Sequence, residues 1–171
     1  YSPRIAQHQA SLQKLSVSFG QAFQMTNILK DIWEDRQRGA CWLPREVFAR
    51  VGFDLTNMSP GVYDPAFGKG LTQLIGVAHA HLHNALRYTL LIPRDETGIR
   101  RFCLWALGMA ILTLRRIFKQ RDFCSGQQVK ISRRSVKATI WVSNFVTRSD
   151  SSLRALFYVL TRALPPEIEE L

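Results

Sequence analysis

The chain has 171 residues, 46% hydrophobic and 21% charged, which is ordinary usage for a folded protein and excludes disordered and collagen-like classes. That length supports one domain with a substantial core, so residues 1–171 read as a single unit. Twenty-three Lys and Arg against thirteen Asp and Glu leave a net charge of +10, which calls for an anionic partner: nucleic acid, an acidic membrane surface or a phosphorylated small molecule.

The longest mostly apolar run, Phe102 to Leu114, is too short to cross a bilayer as a helix. The opening residues lack the basic-apolar-small order of a signal peptide. Cys41, Cys103 and Cys124 have no C-x-x-C spacing and fit a reducing, cytoplasmic setting.

Helical signals dominate and strand-type alternation is nearly absent, so the expected class is all-α with about six helices. Ser2-Pro3 reads as an N-cap and first helical residue. From there apolar residues recur at helical spacing through Ile5, Leu12, Phe19, Phe23, Leu29 and Trp33, predicting one long helix that ends around Arg36 to Gly39. Pro44 opens a short helix to Val51, with Gly52 as its stop. Residues 52–64 read as a loop, and Asp64-Pro65 caps a long helix reaching Leu91. Glu96 to Gln120 is a further helix, apolar nearly all round. Gly126 breaks the chain. Ser132 caps a helix through Val146, and Ser149 or Asp150 one through Leu164, stopped by Pro165-Pro166. Trp33, Phe102, Trp105, Trp141, Phe145 and Phe157 lie at spacings typical of core packing.

The informative stretch is Gln24 to Asp35. With Asp31 at zero on a straight helix, Gln24, Asn27, Glu34 and Asp35 fall within a sector of about 100° around it, while Met25, Leu29, Ile32 and Trp33 lie opposite. Three carboxylates and two amides on one stripe form a hard-oxygen surface. Carboxylates at i, i+3 and i+4 repel one another, and a divalent cation reverses that sign, Mg²⁺ in particular, which takes one or two carboxylates plus water and substrate phosphates. A solvated acidic face is the other reading of the same charges.

Here the residues carry a resemblance. Phe19 to Phe48 is similar to the second aspartate-rich region of the squalene and phytoene synthase family, Gln-x-x-Asn-x-x-Arg-Asp-x-x-Glu-Asp, followed by an Arg-containing loop and an aromatic-x-Pro element. The chain supplies Gln24, Asn27, Asp31, Glu34, Asp35, then Arg38, Gly39, Trp42 and Pro44. It departs at Lys30, where the family usually has Arg, keeping the charge and losing the bidentate fork. Arg100 to Leu114 followed by Val129 to Val136 resembles the squalene branch, where an apolar Phe-Cys helix precedes a Val-Lys-Ile basic segment.

The resemblance implies an isoprenoid-synthase helical bundle in which two acidic motifs hold Mg²⁺ (or Mn²⁺) against prenyl diphosphates. Two such substrates are joined head to head through a cyclopropyl intermediate. It makes Asp31 and Asp35 metal ligands with Glu34 in support, and puts Asn27 and Gln24 on the same cavity. Lys30 and Arg38 would contact diphosphate or reductant. Lys130 matches a Lys associated with NADPH, whereas Ser132 stands where that segment has Arg and Arg133 follows one place later, so NADPH use stays open. The family's first Asp-x-x-x-Asp does not occur before Asp31. The resemblance therefore leads to the expectation of a C-terminal part of such an enzyme. Such a part would be inactive alone and need its missing N-terminal segment or self-association.

His79 and His83 share one helical face and could clamp a metal, but no acidic residue lies between them. A late basic cluster, from Arg94 through Lys137, shows no zinc-finger, RRM or KH signature; attraction of diphosphates or of an anionic membrane explains it better than nucleic acid does. The competing class is a non-catalytic helical module binding a membrane surface or nucleic acid.

Overall fold

The computed structural model describes residues 3–169, and the Ser2 cap lies outside them. All regular structure among them is helical: α1 (Pro3–Ala6), α2 (Gln9–Lys30), α3 (Ile32–Gln37), α4 (Arg45–Arg50), a 3₁₀ turn at Leu55–Asn57, α5 (Pro65–Leu91), α6 (Thr97–Lys119), α7 (Gly126–Val129), α8 (Arg133–Val146) and α9 (Asp150–Thr161). The class is all-α as the sequence indicates, with nine α-helices among the described residues instead of six.

The extra helices come from breaks in the first expected helix and from Gly126. His8 (φ −106°, ψ 13°) divides α1 from α2, and Asp31 (φ −101°, ψ 18°) divides α2 from α3. The chain keeps its helical course across the second break, since Asp31 N–H donates to Asn27 O and Asp35 N–H to Asp31 O, both at 2.9 Å. Asp is a weak interior helix former, and three carboxylates within five positions repel along a straight helix. Gly126 begins α7 instead of merely interrupting the chain, and α9 stops at Thr161, short of Leu164.

Both glycine stops follow one pattern. Gly39 (φ 78°) and Gly52 (φ 80°) sit just past α3 and α4 in the left-handed region, which only Gly enters without steric cost. Gly52 N–H donates to Ala49 O at 3.0 Å and Phe53 N–H to Phe48 O at 2.9 Å; Gly39 and Ala40 repeat this on Arg36 O and Asp35 O. These are Schellman closures, and the Phe48–Phe53 ring contact, 6.3 Å between centroids, is the apolar pair that accompanies one. Asp64 caps α5 as expected, its Oδ1 accepting from Ala66 N–H at 2.6 Å.

α5 runs through the core. Leu71, Ile75, Ala78, Leu82 and Ala85 are fully buried on it, at the i, i+3, i+4 spacing that its sequence displays. α2 packs along α5, α6 packs on both, α8 packs on α6, and α9 touches α5, α6 and α8. Phe48 stacks on Phe67 at 5.3 Å, each buried ring stabilising by roughly 1.5–3 kcal/mol. Gly70 makes room for Phe48: a Cβ there would lie 2.6 Å from the ring.

α6 is the one helix among the described residues long and apolar enough to span a bilayer by length and composition. Nine of its residues are buried between neighbouring helices, including Arg100, as befits a core helix. Of the six aromatics expected in the core, Trp33 and Phe157 are buried and Trp105 is half-buried, while Phe102, Trp141 and Phe145 are exposed. Their helical spacing is real, but α8 turns only its Ser135–Thr139–Val142–Val146 side inward, leaving its aromatics outside.

Candidate functional site

The apolar back of the stripe anchors it. Leu29, Ile32 and Trp33 are buried and Met25 half-buried, while Gln24 and Asn27 are exposed on the opposite side. Trp33 Nε1–H donates to Phe123 O at 2.5 Å, which ties α3 to the connection between α6 and α7. That tie positions the next contact: Gly126 N–H donates to Glu34 Oε1 at 2.8 Å, across 92 positions of sequence. A Cβ on Gly126 would stand 3.0 Å from Lys30 O, 3.1 Å from Asp31 Oδ1 and 3.3 Å from Glu34 Oε1. The loop backbone therefore lies directly on the kink at Asp31, and a side chain there would press on it. Its trace in the sequence is a glycine placed ahead of the Val-Lys-Ile segment; periodicity says nothing about its partner.

The three carboxylates differ in how they are held. Glu34 Oε2 is buried with no hydrogen-bond partner among the described residues. Asp31 Oδ2 has Lys30 Nζ at 3.1 Å. Asp35 Oδ1 has only the exposed Arg38, its Nη1 3.9 Å away, and borders a small hollow with Arg36, Cys41 and Trp42. Asp31 and Glu34 thus meet beside Gly126, whereas Asp35 looks towards the following loop. Among the described residues no three His, Cys, Asp or Glu side chains converge on one metal position. The donor set nonetheless suits a hard divalent ion, which uses one or two carboxylates with water and phosphate, and the orphaned Glu34 oxygen has lone pairs to give.

Lys130 is exposed just after α7, and Arg133 is exposed as the first residue of α8. Lys130 O accepts from Arg116 Nη1–H at 2.8 Å, which holds the backbone, and its ammonium group forms no salt bridge among the described residues. Ser132 serves as the cap of α8, its Oγ accepting from Ser135 N–H at 3.1 Å. Where the resembling segment has Arg, this chain has a helix cap.

The histidines find an acid that the sequence did not place near them. His83 Nδ1 lies 3.0 Å from Glu167 Oε2 and His79 Nε2 3.6 Å from Oε1. His79 Nδ1–H donates to Pro165 O at 2.9 Å; a carbonyl only accepts, so that nitrogen carries the proton. The pair fastens residues 165–167 to α5. His81 points elsewhere, to Ser18 Oγ at 2.7 Å, and burial pushes its pKa down. An apolar cleft of about 290 Å³ lies between α6, α8, α9 and the end of α5, lined by Leu107, Ile111, Val142 and Phe157 among others and by no residue of the stripe.

Comparison with known proteins gives this geometry a setting. A presqualene diphosphate synthase from Zymomonas mobilis is 35% identical over 89 residues, 48% of this chain and 30% of that protein. A squalene synthase from Cyberlindnera jadinii is 28% identical over 127 residues, 71% of this chain and 27% of that protein. A 15-cis-phytoene synthase from Enterobacter agglomerans is 33% identical over 98 residues, 57% of this chain and 31% of that protein. The chain thus spans about a third or less of the curated relatives it matches. No solved structure matches it significantly. The family model described as squalene/phytoene synthase covers residues 3–135, which takes in the first resembling stretch and all but Val136 of the second, and leaves the non-catalytic module without support. By that match the chain belongs to the squalene/phytoene synthase family.

Proposed function

We propose that this chain forms one wall of a prenyl-diphosphate transferase that condenses two farnesyl diphosphates head to head towards squalene. The observation that supports the reading is the seating of the loop that leads into the Val-Lys-Ile segment on the acidic stripe, with Gly126 N–H on Glu34 beside Asp31. Asp31 and Asp35, with Glu34 in support, would hold Mg²⁺, which when bound neutralises the diphosphate leaving group.

The chain's own residues do the rest. Lys30 offsets the carboxylate charge at Asp31 and brings a cation to the rim where a diphosphate would arrive. Asn27 and Gln24 extend the stripe with neutral donors that orient water or phosphate oxygen. Arg38, Lys130 and Arg133 supply mobile positive charge for phosphate oxygens. With Ser132 spent on capping α8, a reductant such as NADPH would depend on Lys130 and Arg133. The wall needs an opposing acidic motif, so the chain by itself is expected not to turn over.

The test is a product assay with farnesyl diphosphate and Mg²⁺, NADPH present or absent. It uses the chain alone and joined in frame to an N-terminal segment carrying the family's first acidic motif. The joined form should give a head-to-head product that Asp31→Ala and Asp35→Ala abolish. Squalene only with NADPH marks the squalene branch; a reductant-independent product moves the enzyme to the other. Product from the chain alone, or product surviving both substitutions, overturns the reading.

A further inference from the structure

α8 has an inner and an outer face of different chemistry. Ser135, Thr139, Val142 and Val146 line the apolar cleft against α6 and α9. On the outside, with Arg134 at zero, Lys137, Trp141 and Phe145 fall at about −60°, −20° and +20°. Trp141 and Phe145 are 71% and 83% exposed and stack on each other, centroids 6.1 Å apart and planes 11° from parallel. Large aromatics left this open on a monomer mark an interaction surface.

The charges around them choose the partner. From Phe123 to Ser149 there is no Asp or Glu, against five cations: Lys130, Arg133, Arg134, Lys137 and Arg148. Among the described residues none of the five forms a salt bridge, although the charge of Arg148 reaches Asp95. Exposed aromatic rings seat at headgroup depth, and long basic side chains beside them reach outward to anionic lipid, so a Trp-Phe pair continuing a basic stripe fits a bilayer surface. Nucleic acid fits less well, since single-strand binders set a series of aromatics along a basic groove and this face offers one adjacent ring pair on a single helix.

We infer that the outer face of α8 docks the protein on an anionic lipid surface, with Trp141 and Phe145 inserted and Arg134 and Lys137 on lipid headgroups. The four residues given to lipid, Arg134, Lys137, Trp141 and Phe145, have no part in the chemistry proposed for the acidic stripe, and the inference does not rest on that reading.

The test is co-sedimentation of the purified chain with vesicles of phosphatidylcholine containing about a quarter phosphatidylserine, against pure phosphatidylcholine. Binding should need the anionic lipid and weaken with salt. Trp141→Ala/Phe145→Ala and, separately, Arg134→Glu/Lys137→Glu should each lower partitioning by about tenfold or more. Trp42→Ala, another exposed aromatic change, should not. Circular dichroism should match wild type for all, because the altered side chains are solvent-facing. Brominated lipid should quench tryptophan emission less in Trp141→Phe than in Trp42→Phe. The inference is overturned by partitioning unchanged in both double variants, or by equal binding to pure phosphatidylcholine. It is also overturned if the two rings serve an oligonucleotide or a second copy of the chain, seen by mobility shift or sedimentation velocity, while vesicles stay unbound.

Discussion

Asp150 and Glu34 are both acids at helix beginnings, and their surroundings differ completely. Asp150 takes Arg100 Nη2 at 2.5 Å and Arg94 Nη2 and Nε at 2.8 and 3.0 Å. Among the described residues Glu34 takes one backbone N–H and keeps its other oxygen buried without a partner, while its neighbours Asp31 and Asp35 have one cation each, the second at 3.9 Å. A saturated carboxylate holds structure; an unsaturated one is available to a ligand. The contrast is legible only in three dimensions, because both regions are polar residues on helices.

Removing the saturated acid should have the largest effect. Asp150→Ala leaves the fully buried Arg100 without its counter-ion, a loss of about 3–5 kcal/mol in urea unfolding; a loss below about 1 kcal/mol, the scale of a surface pair, would make the site ordinary. Gly126→Ala comes next. Its methyl group would press on Lys30 O and Asp31 Oδ1, at a cost of about 1–3 kcal/mol, and wild-type stability would show that the loop is not seated on the stripe. Asp31→Ala should stay within about 0.5 kcal/mol of wild type, since relief of repulsion offsets the lost Lys30 pair.

The pH response sharpens the same contrast. Burial alone would raise the Asp150 pKa, but hydrogen bonds from Arg100 and Arg94 outweigh it and hold the carboxyl below its ordinary 3.8. A depressed carboxylate contributes stability above its unfolded pKa and loses it as pH falls through the folded one. Wild type should therefore lose stability in that acid window, and Asp150→Asn should show a flatter profile there, followed by thermal unfolding. The smallest effect is at Cys103, one turn from Arg100, where burial raises the thiol pKa to about 11. At pH 8 a thiol reagent should label the exposed Cys41 readily and Cys103 only on opening, faster in Asp150→Ala.

Much of the fold was legible from residue spacing. Asp64, Ser132 and Ser149 cap the helices they precede, and Gly39 and Gly52 close theirs, because caps and stops are local chemistry. The division of the stripe into a polar front, exposed at Gln24 and Asn27 and half-buried at its carboxylates, and a mostly buried apolar back also followed from periodicity. The break at Asp31 did not, since an angular projection assumes a straight helix. Nor did the contacts of Glu34 with Gly126 and of His83 with Glu167, which join residues more than eighty positions apart. Trp141 and Phe145 misled for a related reason: helical spacing states that a face exists, and the neighbours decide whether it is covered.

The most direct test of the unsaturated wall is a thermal-shift titration with Mg²⁺ and inorganic pyrophosphate on wild type, Asp31→Ala and Asp150→Asn. The account predicts a rise in Tm for wild type only when both ions are present, a similar rise for Asp150→Asn from its lower baseline, and none for Asp31→Ala. An equal rise in Asp31→Ala would contradict it and leave the stripe a solvated acidic face.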